Sequence, residues 1–305
     1  MTAPSREPAA ARITVADLGA MAARGDRLVM LTAYDAPSAR LADEAGVDIL
    51  LVGDSAGTTV LGLESTVGVT LDEMVIFTRA VVRGRRRALV VADLPFGSYE
   101  VSDEQAIESA IRLVKEAGAD AVKLEGAGAS LSRARAIAAA GIPVMGHTGL
   151  TPQSAALQGG YRAQGRTAAA ARRLLDEAVA LERAGCFAVV LEAIPPQVAA
   201  AITGRLRVPT IGIGAGPACS GQVLVWHDLL GLLPDRPPKF VKQYATLTDV
   251  VRRAVDAYVD DVRAGRFPDP THTYHMPADE LERFETQLRD RPTQGARRGG
   301  DDSAG

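Results

Sequence analysis

The sequence predicts an α/β protein closed as a (β/α)8 barrel, and three observations carry that prediction. Eight short apolar runs recur along the chain, most of them rich in Val, Ile and Leu and without alternation, as parallel strands buried on both faces should be. Longer stretches with helical spacing lie between them. Several of those stretches stop at an Ala-Gly pair, where glycine can take the left-handed turn that ends a helix. Strands alternating with helices build a parallel sheet, and eight of them suit a barrel. A doubly wound open sheet is the alternative that periodicity leaves open.

In chain order, the first strand is expected over 28–33, followed by a helix over 37–45 that stops at Gly46. The second strand is 48–52. A helix over 71–82 and an Arg-rich segment at 83–87, read as a solvated turn, precede the third strand at 88–92. Helix 103–117 stops at Gly118 before strand 121–124, and helix 130–139 stops near Gly141 before strand 143–146. Helix 168–184 stops at Gly185 before strand 188–191. Strands seven and eight are expected at 210–213 and 223–225. A last helical stretch, 247–264, has no strand after it and is expected outside the barrel or against another subunit. The expected organisation is a disordered N-terminal end (1–12), a single catalytic domain (13–268) and a mostly disordered Arg/Asp/Gly/Ser-rich tail (269–305).

Composition narrows the class. Of 305 residues, 47% are hydrophobic, enough to bury a large core. Lys and Arg number 34 against 37 Asp and Glu, a net charge of −3, which argues against a nucleic-acid binder. Two cysteines, Cys186 and Cys219, make no disulfide framework and lack metal-type spacing. No apolar run is long enough to span a bilayer, and no signal-type segment opens the chain. A soluble, cytoplasmic protein without membrane or nucleic-acid partners is expected.

In a barrel, chemistry collects at the C-terminal strand ends. Strand two ends in Gly53-Asp54-Ser55, strand three in Asp93, strand five in His147 and strand six in Glu192. Strand four carries Lys123 and Glu125, two apart and therefore on one side. Taken singly, each aspartate reads as a turn or cap residue, the Lys/Glu pair as an ion pair and the histidine as a packing residue. The Gly-rich 212–216 loop is a weak phosphate signal. Together, so many charges at one end of the fold call for a counter-ion. Asp54, Asp93 and Glu125 are hard oxygen donors suited to Mg2+, and the absence of Cys/His clusters argues against zinc. Glu192, across the barrel mouth, is better placed as a base.

These residues lie in phrases that resemble the ketopantoate hydroxymethyltransferase family: LTAYD (31–35), LVGDS (51–55), ADLPF (92–96), VKLEG (122–126), GHTGLTPQS (146–154), GGYRAQGR (159–166), LE (191–192), IGIGAG (211–216) and PKF (238–240). The resemblance implies a barrel of the phosphoenolpyruvate mutase/isocitrate lyase type, assembled as a homo-oligomer, often a decamer. It implies Mg2+ at Asp54 and Asp93 with Glu125 completing the environment, 2-oxo acid contacts from Asp54, Ser55, Asp93 and Lys123, and Glu192 as proton acceptor. The implied reaction moves a hydroxymethyl group from 5,10-methylenetetrahydrofolate to 3-methyl-2-oxobutanoate through a Mg-stabilised enolate, giving ketopantoate for pantothenate and coenzyme A synthesis. Ser220, Phe77 and Ala127 depart from residues common in the family, and none is a proposed ligand or base. The competing readings are a Mg-dependent carbon–carbon lyase or mutase acting on another 2-oxo acid, and a non-catalytic barrel that senses a ligand.

Overall fold

Each apolar run forms a strand, and the eight strands hydrogen-bond in chain order into a closed, all-parallel barrel. They are β1 (Leu28–Thr32), β2 (Ile49–Val52), β3 (Leu89–Asp93), β4 (Ala121–Lys123), β5 (Val144–Gly149), β6 (Ala188–Glu192), β7 (Thr210–Ile213) and β8 (Gly221–Leu224). The structure is a computed structural model that describes residues 11–157, 159–233 and 237–290. Closure comes from β8 pairing with β1, Leu28 opposite Gly221 and Met30 opposite Val223. The helices among the described residues are α1 (Val15–Ala23), α2 (Ala36–Glu44), α3 (Ala56–Thr59), α4 (Leu71–Gly84), α5 (Asp103–Ile111), α6 (Ala129–Ala139), α7 (Ala168–Arg183), α8 (Pro196–Arg205), α9 (Trp226–Leu230), α10 (Leu247–Arg263) and α11 (Ala278–Asp290). The expected helix over 103–117 is α5 continued by a wider π-helical turn, Arg112–Glu116.

The strand pleat sorts the core into two. Met30, Ile49, Leu51, Leu89, Val91, Met145, Val190 and Ile211 pack inside the barrel, while Leu31, Leu50, Val90, Val122 and Val189 face the surrounding helices. Alternate residues of one strand thus serve opposite faces, which is why these runs are continuously apolar. Leu18 of α1 and Ile13 join the interior group and close the end of the barrel opposite the chemistry. A Thr14–Asp17 capping box starts α1 by satisfying end N–H groups that the helix leaves unpaired.

The helix-per-strand rhythm breaks once. No helix lies between β7 and β8, which residues 214–220 connect. The Arg-rich segment is also not a solvated turn. Arg85 is buried and pairs with Asp120 at 2.7 Å, and Asp43 of α2 accepts from the backbone N–H groups of Arg86, Arg87 and Ala88. A run of arginines entering a buried strand is retained by these aspartates, because buried charge is tolerated only when paired.

Two compact units divide the chain, Met1–Thr248, which holds the barrel, and Asp249–Gly305. In the second unit, the stretch expected to be mostly disordered contains α11 and a short 3-10 turn at Pro270–His272. Residues 1–10 and 291–305, the remainder of the expected disordered ends, lie outside the described residues.

Candidate functional site

Six titratable side chains from the strand ends, Asp54, Asp93, Lys123, Glu125, His147 and Glu192, are among those that line one cavity of about 820 Å3. Asp54 follows β2 just after Gly53, where an added Cβ would lie 2.7 Å from Ser55 Oγ and press on that hydroxyl. The Asp54 N–H donates to Asp93 Oδ2 at 3.1 Å. Lys123, opposite Asp93 in the β3–β4 register, places Nζ 2.7 Å from Asp93 Oδ1. Glu125, two residues further, lines the same cavity, as the pleat requires. Ser55, also at the cavity, shares a 2.8 Å hydrogen bond with Tyr34.

His147 is an interior residue of β5, which runs three residues beyond the expected strand end at 146. Its Nδ1 lies 3.5 Å from Glu125 Oε1 and its Nε2 lies 3.3 Å from Glu192 Oε2. Neither contact has the alignment of a full hydrogen bond. The histidine stands between Glu125, expected at the metal, and Glu192, the expected base. The turn after Glu192 is held by Ala193 in the left-handed region, φ 49°, and the Glu192 carbonyl accepts from the Leu150 N–H at 2.9 Å.

The electrostatics follow from burial. Asp54 is pushed up to about 8 by burial, then by the neighbouring charges of Asp93 and Glu125. Burial opposes the charge on Lys123, but Asp93, Glu125 and Asp54 outweigh it and hold the ammonium protonated. Burial likewise opposes protonation of His147, yet Glu125 and Glu192 raise it to about 9. Glu125 stays below its ordinary value, because His147 and Lys123 outweigh its burial.

Two residues that strand-end reasoning missed complete the arrangement. Gln153 donates from Nε2 to Asp54 Oδ2 at 2.9 Å and from its backbone N–H to Glu125 Oε2 at 3.0 Å. Tyr99 donates to Gln153 Oε1 at 2.5 Å. Gln153 falls inside the GHTGLTPQS phrase, so proximity to a recognised motif was its one signal; Tyr99 carried none.

The donor set fits a hard divalent cation. Mg2+ prefers one or two carboxylates with water and substrate completing its shell. Asp54 and Asp93 supply carboxylates with a surplus of buried negative charge, and Asp93 Oδ1 lacks an aligned hydrogen bond. Glu125 has Oε2 engaged by Gln153 and Oε1 facing His147, so it suits a ligand held through water. Among the described residues, no group of three or more His, Cys, Asp or Glu side chains is placed to hold a metal ion by itself. The cysteines take no part: both are buried, and burial pushes Cys186 up to about 12 and Cys219 upward.

A closed barrel of eight parallel strands with charged residues at its C-terminal strand ends is a (β/α)8 barrel. The fold matches phosphonopyruvate hydrolase, solved as a complex with oxalate and Mg2+, at a TM-score of 0.55 and 14% identity over 91% of this chain and 96% of that one. It also matches 2,3-dimethylmalate lyase, itself a member of the phosphoenolpyruvate mutase/isocitrate lyase superfamily, at a TM-score of 0.54 and 17% identity over 90% of this chain and 99% of that one. Within this architecture, residues 12–270 match the ketopantoate hydroxymethyltransferases, and the chain belongs to that family. The 3-methyl-2-oxobutanoate hydroxymethyltransferase of Thermobifida fusca is 58% identical over 263 residues, 86% of this chain and 94% of the relative. Among the described residues, no helix is long and apolar enough to cross a membrane.

Proposed function

We propose that the chain acts in the cytoplasm as a 3-methyl-2-oxobutanoate hydroxymethyltransferase that uses Mg2+ and 5,10-methylenetetrahydrofolate, and that it assembles as a homo-oligomer, a decamer. The observation that carries the catalytic reading is Glu192 facing Asp54, Asp93 and Lys123 across one cavity. A base on one side and an acidic, metal-ready cradle with one lysine on the other suit proton removal next to a carbonyl. Tyr161 and Phe240 line the same cavity and offer apolar surface for a flat second substrate. The exposed stripe Val251, Val255, Tyr258 and Val262 of α10 is the kind of surface that a second copy covers.

In this mechanism Asp54, Ser55, Asp93 and Lys123 bind the 2-oxo acid with its carbon 3 toward Glu192. Glu192 removes the carbon 3 proton, a role worth about 10²–10⁴ in rate. The Lys123 ammonium stands beside the oxygen on which negative charge grows. His147, between Glu125 and Glu192, orients the base. Asp54 and Asp93, with Glu125 nearby, would hold Mg2+, and the bound ion would supply Lewis-acid stabilisation of that charge. Carbon 3 then bonds to the one-carbon unit of the folate; with water, the products are ketopantoate and tetrahydrofolate. A nucleophilic cysteine, the feature expected of the lyase or mutase alternative, does not line this cavity.

The test is an assay with 3-methyl-2-oxobutanoate, 5,10-methylenetetrahydrofolate and Mg2+, with EDTA as control. Metal-dependent ketopantoate is the expected result. Folded protein that makes none, yet processes another 2-oxo acid, would replace this reading with the lyase or mutase one. Light scattering tests the assembly: a mass near that of one chain would reject the oligomer.

A further inference from the structure

Resting on the reading of Asp54 and Glu125 as metal- and acid-binding carboxylates, we propose that Gln153, oriented by Tyr99, is a positioning residue. It fixes the mutual placement of Asp54 and Glu125 and so sets how tightly the site takes up Mg2+ and the 2-oxo acid.

The bonding is complete and one-directional. Gln153 Nε2 donates to Asp54 Oδ2 at 2.9 Å and to the Leu94 carbonyl at 3.0 Å, and Oε1 accepts from the Tyr99 hydroxyl. A flipped amide would set its oxygen against a carboxylate and a carbonyl, so a single orientation satisfies every group. The Gln153 backbone N–H binds Glu125 Oε2 at 3.0 Å, and the Tyr99 hydroxyl accepts from the Glu125 N–H at 3.4 Å. A closed circuit therefore joins the loop after β2 to the residues after β4 through the loop after β5. Asp54, Tyr99, Glu125 and Gln153 are all buried, so water does not substitute for a lost member.

The residue type matters as much as the placement. Lys123 already neutralises part of the acidic cluster. A second cation beside Asp54 would compete with the metal, whereas an amide donates hydrogen bonds and leaves the negative charge intact. Neither Gln153 nor Tyr99 lines the cavity, so both act through the carboxylates they hold.

The experiment compares Gln153→Met and Tyr99→Phe with wild type by calorimetry of Mg2+ and of 3-methyl-2-oxobutanoate, beside steady-state kinetics and thermal melting. Met keeps the volume and removes the donors, so a packing role alone would be satisfied by it. Gln153→Met is expected to weaken Mg2+-dependent acid binding about 10–100-fold, the usual scale for a residue that orients a metal ligand. Tyr99→Phe should weaken it less, and in both KM should rise more than kcat falls. Binding within about twofold of wild type in Gln153→Met overturns the proposal, whatever its melting temperature. If Gln153→Met does not melt cooperatively, Tyr99→Phe decides, and unchanged Mg2+ affinity there overturns it equally. Wild type that binds the acid without any response to Mg2+ would instead refute the metal reading on which the proposal rests.

Discussion

Glu192→Gln keeps the size and polarity of the side chain and removes only the proton acceptor, which makes it the sharpest test of a single residue. Solvent-deuterium exchange at carbon 3 of 3-methyl-2-oxobutanoate should fall by at least about 10²-fold, while Mg2+-dependent binding of the acid stays near wild type. Undiminished exchange would remove Glu192 from the role. Asp54→Ala acts at the opposite wall of the cavity. It removes a buried carboxylate that burial and two like charges hold at about 8, together with the acceptor for Gln153. Calorimetry should show acid and Mg2+ affinity lost together, and retention of either at wild-type strength would defeat the shared cradle. Of these residues, Asp54, Asp93, Lys123, Glu125 and Glu192 were legible in the sequence, because each sits at or just past the end of an apolar run. Gln153 and Tyr99 were not, since their partners lie 99 and 54 residues away along the chain and no local pattern reports such a contact.

At the scale of elements, the end of β5 against the end of β6 places the base. Gly149 pairs with Glu192 in the ladder and adopts φ 102°. A Cβ there would lie 2.2 Å from the Glu192 carbonyl oxygen and 2.9 Å from Ile194 Cγ2. Gly149→Ala must therefore displace the backbone that carries Glu192. It should cost about 1–3 kcal/mol of stability or more and reduce proton exchange beyond what unfolding explains. Gly141→Ala is the control: its φ is 86°, but nothing lies within 4 Å of the added carbon. Its cost should be confined to the backbone term of about 1–2 kcal/mol, with exchange per folded molecule unchanged. Equal losses of exchange in the two variants would refute the placement argument. The strands themselves were legible from their apolar runs, but the three extra residues of β5 were not. That extension depends on where the neighbouring strands offer hydrogen-bond partners.

For the whole molecule, the site makes stability depend on pH in a defined direction. His147 is raised to about 9 in the folded chain against about 6.5 when unfolded. The folded state therefore binds this proton more tightly, and the stabilisation is full below about pH 6.5 and lost as pH rises through 9. Asp54, raised from 3.8 to about 8, acts in the same direction, its share being full below about 3.8 and lost as pH rises through 8. Melting in EDTA should show Tm falling from about pH 6.5 to 9, and His147→Gln should flatten that fall. A parallel fall in wild type and variant would show that His147 does not contribute.

Local composition already specified the eight strands and which strand ends carry carboxylates, because burial on both faces leaves a continuous apolar run that stops where the chain meets solvent or ligand; between a closed barrel and an open doubly wound sheet it did not decide. Closure and register settled the rest. Once β1 paired with β8, His147 came to lie between Glu125 and Glu192, Gln153 reached Asp54, and Arg85 was buried against Asp120. These contacts join residues from different strands and loops, and their energies depend on distances that exist only after the barrel has closed.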